Sequence, residues 1–177
     1  METEALIAYL TSKSPIKGKK ALQKLVYFCT ELKVPVRANY RLYIYGPYSN
    51  EVAEELNEAV IKEIVKAGDD GLSYYKGLSC DEYLATHQQE IQAHREKIDR
   101  VLATFGSLTP LNLELYATIH FIAVSLQEAY GRVSKEKVLN EVYSVKAGKF
   151  TIEQIETAYD NLLKWGWLAG DGDGVLP

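Results

Sequence analysis

Residues Ala21 to Leu56 read ALQKLVYFCTELKVPVRANYRLYIYGPYSNEVAEEL, and this stretch combines two helical patterns with a tyrosine-rich extended run. Leu22, Leu25 and Cys29 recur at steps of three and four residues, which places them on one side of a helix. The pattern predicts a helix over residues 19 to 32 with one apolar face.

The run Tyr40 to Tyr45 alternates along the chain, with Leu42 and Ile44 on one side and Arg41, Tyr43 and Tyr45 on the other. A period of two predicts a strand with one apolar face and one aromatic, partly polar face. The Gly46-Pro47 dipeptide should end this strand. Apolar residues at helical spacing then predict a helix over residues 50 to 66.

The charge of the chain is uneven. The net charge is -4, yet residues 1 to 50 carry 8 Lys and Arg against 3 Asp and Glu, while residues 51 to 110 carry 6 against 12. The basic start could face an anionic partner such as nucleic acid, or it could face the acidic middle of the chain or water. Composition leaves these alternatives open.

The compartment is predicted to be the cytoplasm. The first ten residues contain two glutamates and no basic segment, unlike a signal peptide, and no apolar run is long enough to span a bilayer. Cys29 and Cys80 lack the spacing of a metal or redox motif, and we expect both thiols to be reduced.

We predict a mainly α protein with a few short strands, in two parts. Residues 1-80 are expected to form a winged-helix-like unit that includes a short strand near residues 72 to 78. Residues 81-177 are expected to form a helical unit, or the two parts could make one compact domain.

A single helix is predicted from Asp81 to Phe105. Its apolar residues at positions 84, 91, 98 and 105 form a seam for another helix, within the chain or in a homodimer through the 84-105 helix.

The second half continues with three predicted helices. Thr109-Pro110 should start a buried helix, whose apolar run is interrupted by Asn112, Glu114 and His120. Another helix is expected over residues 134 to 145, and Thr151-x-x-Gln154 is a capping box that starts the last one. With a small hairpin over residues 167 to 176, this outline is of helix-turn-helix type.

No catalytic, cofactor-binding or metal-binding residue is predicted. His87 and His94 lie about 10 Å apart along a helix, which is too far to share one ion. His120 is expected to be a core histidine and the two cysteines to be inert. The sequence contains no glycine-rich phosphate-binding motif.

A partner-binding surface is predicted where basic and aromatic residues cluster in the first fifty positions. Lysines favour phosphate, and tyrosine rings could stack on bases or on a protein partner. The helix after Thr151 is less suited to DNA because it is acidic, with only Lys146, Lys149 and Lys164 nearby to favour phosphate. The predicted surface consists of Lys20, Lys24, Tyr27, Arg41, Tyr43, Tyr45 and Tyr48.

Two motifs carry a family resemblance. The segments Ala21 to Phe28 (ALQKLVYF) and Tyr43 to Ser49 (YIYGPYS) resemble the YwgA-like family of small bacterial and archaeal proteins. Weaker similarity extends through residues 115 to 121 and 150 to 159. The same motifs resemble, more loosely and over residues 5 to 80 alone, the Panacea domain of SocA-type antitoxins and proteolytic adaptors. Neither resemblance implies a catalytic residue.

Three functional hypotheses follow. The first is a non-enzymatic binding module, antitoxin-like or adaptor-like, that recognises a protein partner such as a toxin or client. The second is a DNA-binding transcriptional regulator of winged-helix type that uses the same basic surface. The third is an enzyme whose site is assembled from residues distant in sequence.

Overall fold

The computed structural model describes residues 1–146 and 148–169. Most of these residues are helical and the few strands form two small sheets, so the predicted mainly α class is confirmed. None of the described helices combines the length and apolar character needed to cross a bilayer.

The described elements follow the chain in this order: α1 (Thr3–Lys13), α2 (Gly18–Glu31), β1 (Arg41–Tyr43), β2 (Gly46–Tyr48), α3 (Asn50–Ile61), β3 (Val65–Ala67), β4 (Tyr74–Lys76), α4 (Cys80–Thr86), α5 (Gln88–Phe105), α6 (Pro110–Tyr130), α7 (Lys135–Val145) and α8 (Ile152–Lys164). β1 pairs with β2, and β3 pairs antiparallel with β4.

The chain divides into two compact units. The first comprises residues 1–41 and 47–113, and the second comprises residues 42–46 and 114–177. We predicted a boundary at residue 80, whereas the first unit extends to Leu113 because α4 and α5 pack on α1, with α5 also packing on α2. Five residues of the β1–β2 hairpin belong to the second unit.

The core of the first unit lies around α1 and α2. Phe28 of α2 stacks on Phe105 of α5 with ring centroids 3.8 Å apart. The predicted helix 81–105 is instead two helices, α4 and α5, which meet at His87. The apolar seam of α5 is buried within this chain, so a homodimer through the 84-105 helix remains a prediction.

Two predicted elements, one helix and one strand, have different bounds in the structure. The helix predicted over residues 50 to 66 ends at Ile61, since Glu63 has a φ of 55° and the chain leaves the helix as β3. The strand predicted over residues 40 to 45 ends at Tyr43. Ile44 and Tyr45 form a turn, and Gly46, with a φ of 85°, begins β2.

The second unit follows the predicted pattern closely. Thr151 and Gln154 form the capping box that starts α8, with both reciprocal hydrogen bonds in place. Gly166 has a φ of 70° just after α8, as expected for a helix C-terminal cap. The predicted hairpin over residues 167 to 176 lies mostly outside the described residues.

His120 lies in the buried part of α6, with 3% of its surface exposed. Burial lowers the pKa of His120 to about 4, below its ordinary value of 6.5, while a backbone hydrogen bond with Trp167 acts in the opposite direction. Between these two pH values the unfolded chain binds a proton that the folded chain does not bind. Folding therefore loses stability as the pH falls from about 6.5 towards 4.

We expect the wild type to lose about 1–2 kcal/mol more unfolding free energy than His120→Gln when the pH is lowered from 8 to 5. Glutamine does not titrate, so the difference between the two proteins isolates His120 from the carboxylates. Urea denaturation at both pH values measures it. Equal losses in the two proteins would contradict a neutral, buried His120.

Candidate functional site

The seven residues of the predicted partner surface differ in their exposure. Five of them reach solvent at least in part: Lys20, Arg41, Tyr43, Tyr45 and Tyr48. The other two, Lys24 and Tyr27, are buried at 1% and 2% exposure. The structure therefore does not present all seven side chains at one surface.

Lys24 and its neighbour Gln23 hold the segment that follows the hairpin. Lys24 Nζ donates a 2.8 Å hydrogen bond to the carbonyl of Pro47. Gln23 Nε2 donates to the carbonyl of Ser49 at 2.8 Å, and the amide of Ser49 donates back to Gln23 Oε1 at 3.0 Å. Buried backbone groups need such partners. The two motifs of the family resemblance are thus bonded to each other, and Lys24 has a structural role.

Tyr27 also has a structural position. Its ring packs edge-on against Tyr40, with the centroids 5.2 Å apart. The hydroxyl of Tyr40 in turn donates to the backbone carbonyl of Gln23 at 3.0 Å. Tyr27 was predicted to belong to the partner surface, but its side chain is buried in the first unit, where it packs against other aromatic rings.

The tip of the β1–β2 hairpin is exposed to solvent, and two lysines contact it. Ile44 at the turn is 81% exposed, and Tyr45 beside it is 54% exposed. Lys146, just after α7, donates from Nζ to the backbone carbonyl of Ile44. Lys149 places its Nζ 4.9 Å from the centre of the Tyr45 ring. All of these residues belong to the second unit.

Glu114 of α6 joins the two lysines. Its carboxylate is fully buried and accepts hydrogen bonds from Lys146 at 2.8 Å and from Lys149 at 2.7 and 2.8 Å. Moving a carboxylate out of water costs several kcal/mol, which is repaid only by close, hydrogen-bonded countercharges. We call Leu42–Tyr45, Glu114, Lys146 and Lys149 the tip site.

The tip site combines a positive charge with flat aromatic surface. Two ammonium groups face one carboxylate, so the cluster carries a net charge of +1. Lys149 is 33% exposed while Lys146 is buried, so Lys149 brings this charge to the surface. An ammonium group beside an exposed tyrosine suits a ligand that has both phosphate and a planar ring.

Sequence reasoning recognised parts of the tip site but did not join them. Tyr43 and Tyr45 were predicted to bind a partner, while Lys146 and Lys149 were noted as favouring phosphate. Glu114 was seen as an interruption of an apolar helix. A carboxylate within the apolar part of a helix is the signal that a countercharge must lie nearby.

Conventional catalytic groups are less favoured. Desolvation raises the pKa of the Cys29 and Cys80 thiols, which makes both poor nucleophiles at neutral pH. Within residues 1–146 and 148–169, no three His, Cys, Asp or Glu side chains are placed to hold a metal ion.

A second polar cluster lies in the first unit and was not predicted. The hydroxyl of Tyr83 donates to Glu2 at 2.7 Å and to Glu4 at 3.1 Å. Desolvation and these carboxylates raise the pKa of Tyr83, while its hydrogen bond lowers the pKa of Glu2. Lys62 pairs with Glu4 at 2.6 Å, and His87 lies 3.1 Å from Glu2. Since these groups satisfy one another, the cluster has a structural explanation.

Comparison with known proteins gives two relatives, and no family model matches the chain. The chain is 27% identical over 150 residues to a Bacillus subtilis protein named "Uncharacterized protein YwgA". This match covers 80% of the chain and 90% of that protein. The predicted similarity to YwgA-like proteins is confirmed at this level, while the looser Panacea resemblance is not shown.

The chain is also 30% identical over 157 residues to a Thermus aquaticus protein named "DNA ADP-ribosyl glycohydrolase". This match covers 85% of the chain but 42% of that protein, so the chain spans less than half of its length.

This second relative contradicts our prediction of a non-enzymatic binding module. The prediction rested on finding no catalytic motif in the sequence, but most of the chain matches a protein named for an enzymatic activity. A site assembled from residues distant in sequence leaves no short motif, so the absence of a motif is weak evidence against an enzyme. Of the three hypotheses, the enzyme is the one that the comparison favours.

We expect Glu114→Ala to lower the free energy of unfolding by about 3–5 kcal/mol, because it leaves the buried Lys146 ammonium without its carboxylate. The matched control is Glu156→Ala, which removes a half-exposed carboxylate 2.9 Å from Lys135. The control should cost far less, since solvent screens surface pairs. Urea denaturation followed by tryptophan fluorescence measures both, and equal losses would contradict a buried ion cluster.

Proposed function

We propose that this chain takes part in removing ADP-ribose from DNA, and that the tip site binds the ADP-ribosylated substrate. Two observations support the proposal. One is the 30% identity, over 85% of the chain, to a protein named DNA ADP-ribosyl glycohydrolase. The other is the pairing of the partly exposed Lys149 ammonium with the exposed Tyr45 ring, and this geometry carries the assignment to the tip site.

The chemistry of the substrate fits these two groups. ADP-ribose contributes a pyrophosphate and an adenine ring, and DNA contributes phosphates and further rings. The Lys149 ammonium would bind a phosphate oxygen, and a tyrosine ring would stack on a base. The chain as a whole carries a net charge of -4, which favours phosphate binding at places where ammonium groups lie together, such as the tip site.

The reaction is a hydrolysis. The bond between the anomeric carbon of ribose and the DNA atom breaks, the hydroxyl of water joins the carbon, and a proton goes to the DNA atom. Glycoside hydrolysis passes through an oxocarbenium-like state with positive charge on that carbon. A lysine near it would oppose that charge. Lys149 is therefore assigned to phosphate, with Glu114 as the residue that positions it.

The test is release of ADP-ribose from a labelled oligonucleotide that carries one ADP-ribosyl group. We expect release by the full chain, and an increase in KM of about ten- to hundredfold for Lys149→Ala from the loss of a charge-assisted hydrogen bond. The matched control is Lys164→Ala, which removes an exposed lysine from the end of α8 and should leave KM unchanged.

Absence of release, together with equal affinity for the modified and unmodified oligonucleotides, would overturn the proposed function. Release with the same KM in Lys149→Ala and Lys164→Ala would instead overturn the assignment to the tip site. A circular dichroism spectrum of each variant checks that the substitution has left the fold intact.

A further inference from the structure

We propose that the hairpin tip acts as a wedge, with Ile44 entering between stacked bases and opening the duplex beside the modified nucleotide. This inference rests on the proposed function, because it specifies how the same tip site handles double-stranded DNA. It concerns a part of the hairpin that the binding of phosphate by Lys149 does not explain.

The exposure of the tip is the first argument. Ile44 is 81% exposed, and the side chains on either side of it, Tyr43 and Tyr45, are both about half exposed. An isoleucine side chain that stays in water at a turn adds no hydrophobic stabilisation to the folded state. A small apolar side chain between two aromatic rings is the shape of the wedges that proteins insert between base steps.

The support behind the tip is the second argument. Unstacking a base step costs a few kcal/mol, so a wedge must resist being pushed back. The carbonyl of Ile44 is held by Lys146, which is buried and paired with the buried Glu114. Gly46, at a φ of 85°, adopts the left-handed backbone conformation that this turn requires, and the ring of Pro47 fixes φ at the next residue.

The positive charge of the tip site favours DNA as the ligand of the hairpin tip. The tip site carries a net positive charge, and Lys149 brings it to the surface beside the aromatic rings. Apolar and aromatic groups next to an exposed ammonium complement the alternation of base faces and phosphates in DNA. A purely apolar protein partner would leave the net positive charge of the tip site uncompensated.

A wedge would serve this reaction where the modified base is stacked inside a duplex. Enzymes that act on a base inside a duplex take it out of the stack, or they act on single strands. A wedge at the substrate site would provide this step for duplex DNA and would be unnecessary for single strands. The two substrates therefore separate the wedge from the rest of the site.

The experiment compares Ile44→Ser with Ile61→Ser, which changes a 73% exposed isoleucine at the end of α3 in the first unit. Both positions are exposed, so neither change should unfold the protein. The probes are ADP-ribosylated oligonucleotides, single-stranded and duplex, with 2-aminopurine next to the modified nucleotide. This base analogue fluoresces more strongly when it is unstacked.

We expect the wild type and Ile61→Ser to raise the 2-aminopurine signal of the duplex on binding. Ile44→Ser should not raise it, and should release ADP-ribose from duplex about tenfold more slowly while matching the wild type on single strands.

An unchanged signal in the wild type, or equal duplex rates for Ile44→Ser and wild type, would overturn the wedge and leave the proposed function standing. Absence of release from either substrate would overturn the proposed function. In that case the fluorescence of the bound duplex still decides for or against the wedge.

Discussion

The buried carboxylate of Glu114 is the constraint on which the second unit depends. A charge with no access to water requires close countercharges, and here Lys146 and Lys149 supply them at 2.7–2.8 Å. The Lys146 ammonium also donates a hydrogen bond to the backbone carbonyl of Ile44. The solvation of one carboxylate thus fixes the end of a hairpin that is distant in sequence. It also leaves Lys149 partly in solvent next to Tyr45, and this arrangement is the basis of the functional proposal.

A comparable constraint organises the chain on the other side of the hairpin. Gln23 and Lys24 satisfy the backbone carbonyls of Ser49 and Pro47, so the two segments that carry the resemblance to YwgA-like proteins are joined by hydrogen bonds. Similarity at Gln23, Lys24, Pro47 and Ser49 therefore reports on the fold, whereas Tyr43 to Tyr45 of the same motif belong to the tip site.

The helices were predictable because their signals are local. Apolar spacing, the Thr151–Gln154 capping box and Gly166 each act within a few residues, and the structure has them as expected. The β1–β2 hairpin was missed because alternation in residues 40 to 45 was interpreted as one strand ended by Gly46-Pro47, whereas β1 ends at Tyr43 and Gly46 begins β2. The conformation of this region depends on long-range contacts, because the Ile44 carbonyl is hydrogen-bonded to Lys146, which lies more than 100 residues later in the sequence. The tip site could not be assembled from sequence for the same reason, although the buried position of Glu114 was a usable signal.

The most direct test of the account is a methyl NMR titration of the full chain with an ADP-ribosylated oligonucleotide, using the unmodified oligonucleotide as the reference. We expect the Ile44 δ1 methyl resonance to move on binding because of ring currents from nearby bases, and to move further with the modified oligonucleotide. The Ile61 methyl group, which is also exposed but belongs to the first unit, should stay in place. Shifts confined to residues outside the tip site, or identical shifts with both oligonucleotides, would contradict the account.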